Sequence, residues 1–171
     1  GDDLFISEAS NPTNGITQIV DGKIVYTPNN DYFGSDSFEY TISDGNGGLT
    51  TKTLNVTVNS INDIPTATVT SVTTAEDNSI AIDVLSGASD VEDGNNLSIK
   101  SITNGNNGNA QIIGGKIVYT PNENYNGTDS LSYVIVDSDG GEVEKILNIE
   151  VTSVNDLPTA LITSSVVDED G

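Results

Sequence analysis

The chain has 171 residues and carries 26 Asp and Glu against five lysines, a formal net charge of −21 at neutral pH. That charge makes nucleic acid and anionic membrane poor partners, because both must be neutralised by cations and this chain has only five. Cys, His, Met, Trp and Arg are all absent, which removes disulfides, thiolate chemistry, a structural zinc site and the usual general base.

In chain order, the signal is short runs of alternating apolar and polar residues broken by turn residues, with no helical periodicity of useful length. Leu4 and Ile6 open the first run. Asp21-Gly22 separates two more and is a preferred pair for a two-residue hairpin, whose central residues need positive φ. Phe38, Tyr40 and Ile42 then share a face, and after the glycine-rich turn at 44–48 so do Leu54, Val56 and Val58. Asn62-Asp63-Ile64-Pro65 closes that series. The pattern restarts with predicted strands over 67–73, 79–84, 97–101, 110–113 and 116–120, the last two flanking Gly114-Gly115. Two longer strands follow, 130–137 with Leu131, Tyr133 and Ile135 inward and 142–152 with Leu147, Ile149 and Val151 on one face. Tyr-x-Gly at 32–34 and 125–127 precedes an inward-facing strand, where the tyrosine can hydrogen-bond back across a corner.

The second series repeats the first. Residues 23–67 match 116–160 at 26 of 45 positions without a gap, an offset of 93 residues. The repeat predicts an all-β chain of tandem immunoglobulin-like or cadherin-like sandwich modules of about 93 residues, two sheets packed face to face. The register gives a module over 1–65 lacking its first strands, a complete module over 66–158, and the first strand of a following module at 159–171.

Acidic residues cluster where module ends are expected to meet: Asn62-Asp63, Glu76-Asp77, and Asp90-Val91-Glu92-Asp93. Asp36 and Asp44 lie at the two ends of one predicted strand, and Asp129 and Asp137 are their counterparts. Calcium takes six to eight hard oxygens from carboxylates, Asn side chains and carbonyls. Carboxylates converging at a module boundary without a cation would repel one another in a medium less polar than water. Ca²⁺ is therefore the expected cofactor, clamped between the linker and the loops of the following module.

The motifs also carry a resemblance. Lys-Ile-Val-Tyr-Thr-Pro-Asn at 23–29 and 116–122 is joined by Tyr-x-Gly-x-Asp-Ser, Asp-x-x-Gly-Gly and Asn-Asp-x-Pro in both copies. The combination resembles the bacterial cadherin-like repeats of large RTX-type surface adhesins, over nearly the whole chain. The resemblance implies tandem sandwich modules, secreted or at the cell surface, with calcium at the junctions. Asn62-Asp63 and Asn155-Asp156 look like the Asn-Asp-x-Pro linker, and Glu76 and Glu169 like the glutamate near the start of each following module. Asp90 and Glu92 look like the Asp-x-Asp pair with Glu in second place. Asp36 and Asp129 stand where cadherins have Asp-Arg-Glu, but the Arg-Glu is missing, and Ser60 and Ser153 replace an Asp of the cadherin linker. The 62–95 junction holds every proposed ligand group, whereas 155–171 stops before the counterparts of Asp90 and Glu92.

These features favour a calcium-stiffened structural repeat of an adhesin, extracellular or at the cell surface. Its partners would be neighbouring modules of the same chain and a surface polysaccharide or a host or matrix surface. The alternative is a carbohydrate-binding module of a secreted polysaccharide-degrading protein, for which Phe33 is the best exposed aromatic candidate. An enzyme is not expected: the acidic residues recur in each module, as structural residues do, and the sequence has no His and no nucleophile elbow. No apolar run approaches the ~20 residues needed to insert across a membrane.

Overall fold

The computed structural model describes residues 3–158 and 169. It divides into two compact units, Gly1–Ile64 with Asp90–Gly94, and Pro65–Ser89 with Asn95–Gly171. The division falls between Ile64 and Pro65, and the short loop at 90–94 groups with the first unit.

The first unit contains β1 (Phe5–Ala9), β2 (Gly15–Val20), β3 (Lys23–Pro28), β4 (Gly34–Ser43) and β5 (Leu49–Val58). One antiparallel sheet has the order β1-β4-β5, and β2 and β3 form a separate hairpin. Asp21 and Gly22 close that hairpin with φ of 50° and 73°, the left-handed pair the turn requires.

The second unit begins with β6 (Thr66–Ala67) and β7 (Ser71–Ala75), then β8 (Ile80–Ile82), a short 3-10 turn at Leu85–Gly87, and β9 (Ala88–Ser89). It continues with β10 (Ser98–Ile102), β11 (Gly108–Ile113), β12 (Lys116–Pro121), β13 (Gly127–Val136) and β14 (Glu142–Thr152). One sheet runs β10-β13-β14-β7 and another β11-β12-β8, with β6 and β9 a small pair. The single predicted strand over 67–73 is thus two pieces that pair with different strands. β7 lies parallel to β14, Ser71 opposite Asn148 and Ala75 opposite Thr152; every other pairing is antiparallel.

The core of the second unit is what the alternation predicts. Leu131, Tyr133 and Ile135 of β13, Leu147, Ile149 and Val151 of β14, and Ile117 and Tyr119 of β12 are buried together with Ile82 and Val84. Burying a large aliphatic side chain of this kind is favourable by about 1.5–3 kcal/mol. Gly108 is where the hairpin crosses Tyr119: a Cβ there would lie 2.4 Å from the ring, so only glycine fits. Its counterpart Gly15 meets the Tyr26 ring in the same way. Local details also repeat. A register shift between Ile6 and Glu8 recurs between Ile99 and Ser101. The corner tyrosines behave alike, the Tyr32 hydroxyl donating to the Ser35 carbonyl and the Tyr125 hydroxyl to that of Thr128, each at 2.6 Å.

The units differ in coverage. Strands equivalent to β7 and β8 do not pair with β5 or β3 among the described residues. Leu54 is 42% exposed where its counterpart Leu147 is fully buried. No helix among the described residues is long and apolar enough to cross a membrane.

Candidate functional site

Of the fourteen oxygen-bearing residues proposed as ligands, all but Glu169 fall into three structural classes. The first class is committed to holding the fold. Asp129 follows the inward phase of β13, and its buried carboxylate accepts the Tyr119 hydroxyl at 2.7 Å and the N–H groups of Asn106, Asn107 and Ser130 at 2.9–3.0 Å. Burial disfavours its ionised form, but the Tyr119 hydroxyl and the three N–H groups outweigh burial and hold the carboxyl below its ordinary range. Burial, with the bond to Asp129, correspondingly pushes the Tyr119 phenol up. Asp36 repeats the arrangement with the N–H groups of Asn14 and Ser37 and the Tyr26 hydroxyl. Both carboxylates therefore pin the loop before a hairpin to the following long strand.

Asp44 and Asp137 belong to the same class. The Asp44 Oδ1 accepts the N–H groups of Asn46 and Gly48 at 2.8 Å, and these donors lower its pKa. The Asp137 Oδ1 accepts those of Asp139 and Gly141 at 2.9 and 2.7 Å. Each aspartate folds its own glycine-rich turn, the ordinary work of Asp in such positions.

The second class lies in the first unit, around the linker and the loop at 90–94. The Asp90 and Gly94 backbones bond to each other in both directions, which closes the loop. The Asp90 Oδ1 accepts the N–H groups of Glu92 and Asp93 at 2.9 and 3.0 Å. Its Oδ2 is buried and has no hydrogen-bond partner. The Glu92 carboxylate accepts the Asp63 N–H at 3.1 Å, which ties the loop to Asn62-Asp63. Asn62 and Asp63 are exposed, and Glu92 and Asp93 half-buried.

The third class gathers at the end of the second unit where β14 finishes. Because β7 runs parallel to β14, Glu76 arrives beside the outgoing chain. Its carboxylate is buried, 3% exposed, and accepts the Val154 N–H at 2.6 Å and the Asn126 amide at 3.3 Å. Asp77, in a left-handed conformation at φ 61°, accepts the Asn124 N–H at 3.0 Å. Asn155 and Asp156 follow directly and are exposed. The sequence reading grouped Glu76 and Asp77 with Asn62-Asp63; the structure instead gives them partners next to the second linker. The cause is the parallel pairing, which the alternation pattern does not encode. Neither linker has a full set among the described residues: the first has the loop donors without a glutamate of this kind, and the second has Glu76 without counterparts of Asp90 and Glu92. Glu169 is exposed at a turn, and Asp170 lies outside the described residues.

The donors suit a hard cation. They are carboxylates and amides without nitrogen or sulfur ligands, and the Asp90 Oδ2 is an orphaned buried acceptor of the sort a bound cation satisfies. Among the described residues no group of three or more His, Cys, Asp or Glu side chains is placed to hold a metal ion. Asn124, Asn126 and the Tyr119–Asp129 pair were missed in the sequence. For the pair the signal was present: Asp129 is in phase with Leu131, Tyr133 and Ile135, which marks it as inward rather than solvent-facing.

No curated protein matches the sequence. Structural similarity is with cadherin repeats. Mouse cadherin-23 EC22-24 aligns with a TM-score of 0.57 at 14% identity, covering 89% of this chain and 53% of that one. Human CDH23 EC21-23 aligns at 0.55 and 15% identity, covering 88% and 58%. Human mucin-like protocadherin EC1-2 aligns at 0.52 and 12% identity, covering 90% and 85%. At these identities the likeness is one of fold. The bacterial Ig domain model matches residues 1–57 and 62–150, one match in each repeat, and the chain belongs to the bacterial Ig domain family.

Proposed function

We propose that this chain is a calcium-stiffened structural repeat of a secreted or cell-surface bacterial adhesin, with Ca²⁺ bound at the linkers. The observation that carries the reading is the Asp90 loop. A buried carboxylate oxygen without a donor costs free energy that a cation would offset. The same loop already holds the linker backbone through Glu92. Asn62, Asp63, Asp90, Glu92 and Asp93 would hold the ion at the first linker, and Glu76, Asp77, Asn155 and Asp156 at the second. When bound, calcium supplies positive charge that neutralises converging carboxylates in a chain of net charge −21. The loop at 90–94 is embedded in the sequence of the second unit yet groups with the first. Fixing it to Asn62-Asp63 therefore restricts how the chain can bend at that linker. The partners in this reading are neighbouring modules of the same chain and, beyond them, a surface polysaccharide or a host or matrix surface.

The test is thermal melting and small-angle scattering with calcium and with EDTA. A ligand at ten times its Kd that binds only the folded state stabilises it by about 1.4 kcal/mol. For a domain of this size that is a Tm shift of roughly 5–10 °C. Lower Tm and a broader distribution of dimensions in EDTA are expected. Unchanged melting and scattering would remove the calcium claim.

A further inference from the structure

An Asn followed by Gly can close on itself, because no side chain shields the glycine nitrogen from the Asn side-chain carbonyl carbon. The chain has five such pairs, at Asn14, Asn46, Asn104, Asn107 and Asn126. Four of them are locked. The Asn14 N–H donates to Asp36, its carbonyl accepts the Asn29 N–H, and Gly15 opens β2. The Asn104 side chain accepts the Ala110 N–H. Asn107 donates its N–H to Asp129 and accepts that of Asn122, and Gly108 opens β11. The Asn126 amide donates to Glu76, and Gly127 opens β13. Room for a ring is missing as well. A Cβ at Gly15, Gly105, Gly108 or Gly127 would meet another atom at 2.6, 2.1, 2.4 or 3.0 Å.

Asn46-Gly47 differs on each count. It lies in the turn between β4 and β5, and both residues are exposed. A Cβ at Gly47 would meet nothing within 4 Å. The Asn46 amide reaches the Asp44 carbonyl in a long, exposed bond of 3.4 Å. The Asp44 Oδ1 holds the Asn46 and Gly48 N–H groups, and the Gly47 N–H contributes least of its donors. We propose that Asn46 is a site of spontaneous modification, deamidated through its own backbone with water as the co-reactant. The Gly47 nitrogen gives up its proton to solvent and bonds to the Asn46 Cγ. The bond from Cγ to the side-chain nitrogen breaks, and that nitrogen takes a proton and leaves as ammonia. Water then opens the five-membered imide at one carbonyl or the other, leaving aspartate or isoaspartate at position 46. The repeat shows that the turn accepts the first product. The residue 93 positions on is Asp139, whose N–H donates to Asp137 as that of Asn46 does to Asp44. The following glycines match too, Gly47 at φ 102° and Gly140 at φ 95°.

Ageing the full chain at mildly alkaline pH, folded and in denaturant, followed by peptide mapping by mass spectrometry, tests this. Cleavage after lysine places Asn14 in peptide 1–23, Asn46 in 24–52, Asn104 and Asn107 in 101–116, and Asn126 in 117–145. In the folded chain, peptide 24–52 should gain the mass of an amide-to-acid conversion and split into two chromatographic forms. The locked pairs must open before they react, and an open population below about one in ten slows each of them about tenfold or more. In denaturant the peptides holding Asn-Gly should react at comparable rates per site. Asn46→Gln should abolish the change in peptide 24–52, because glutamine would have to close a less favourable six-membered ring. Asn46→Asp should melt like the wild type, since the second unit folds the same turn around Asp139. No conversion at Asn46 while the denatured chain reacts, equal rates at all five pairs in the folded chain, or a change that persists in Asn46→Gln would overturn the proposal. The readout does not involve calcium, so it stands or falls separately from the proposed function.

Discussion

Leu54 and Leu147 occupy the same position of the repeat, on the same face of the same strand, yet one is 42% exposed and the other fully buried. Tyr26 and Tyr119 make the same comparison: the second is fully buried, and the first, stacked on Phe38 at 6.3 Å between ring centroids, is only half-buried. Identical residue patterns thus give unequal cores, because burial is set by the strands that cover a face as much as by the residues on it. The second unit has β7 and β8 over its core, and the first has no equivalent among the described residues.

The largest difference should appear on truncating that shared leucine. Leu147→Ala leaves a cavity in a closed core and should cost about 2–5 kcal/mol. Leu54→Ala, already partly in water, should cost under about 1 kcal/mol. Hydrogen exchange read separately for the two units checks this, and equal losses would mean that the first unit is covered in solution. Next comes the buried carboxylate. Asp129→Asn should cost about 1–3 kcal/mol at neutral pH by unbalancing its donors. Its folded carboxyl titrates below the unfolded value near 3.9. Its contribution is therefore complete above that pH and is lost as pH falls through the lower folded value. The variant should show a flatter acid limb than the wild type in denaturant titrations below about pH 4. Tyr119 has the opposite sign: with its folded pKa raised, its contribution is complete below about pH 10 and is lost as pH rises further. Tyr119→Phe should flatten the alkaline limb. The smallest effect should not distinguish the units at all. Gly22 and Gly115 have φ of 73° and 76° with nothing within 4 Å of an added Cβ. Alanine at either should cost only the left-handed backbone strain, roughly 1 kcal/mol.

Much of the fold was legible because its determinants are local. Asp21-Gly22 and Gly114-Gly115 announce hairpins through the φ values they allow, and the alternation in 130–137 and 142–152 names the inward residues correctly. What escaped depends on pairing between distant segments. The sequence shows that a strand precedes Glu76 but not that it lies parallel to β14, so the contact of Glu76 with Val154 was not foreseen. The break at 68–70, where the chain passes from β6 to β7, has no turn signature of its own. Asp36, Asp44, Asp129 and Asp137 were read as ligands from their places at the two ends of one predicted strand. For Asp36 and Asp129 the donors come from a neighbouring strand and the loop before it, whose approach only the folded chain reveals.

We propose that the carboxylates around the first linker, above all Asp90 and Asp63, bind calcium there. The direct measurement is calcium titration by isothermal calorimetry on the wild type, Asp90→Asn and Asp63→Ala. Saturable binding by the wild type is expected, weakened about tenfold or more in each variant. No binding by the wild type, or isotherms unchanged in both variants, would contradict it.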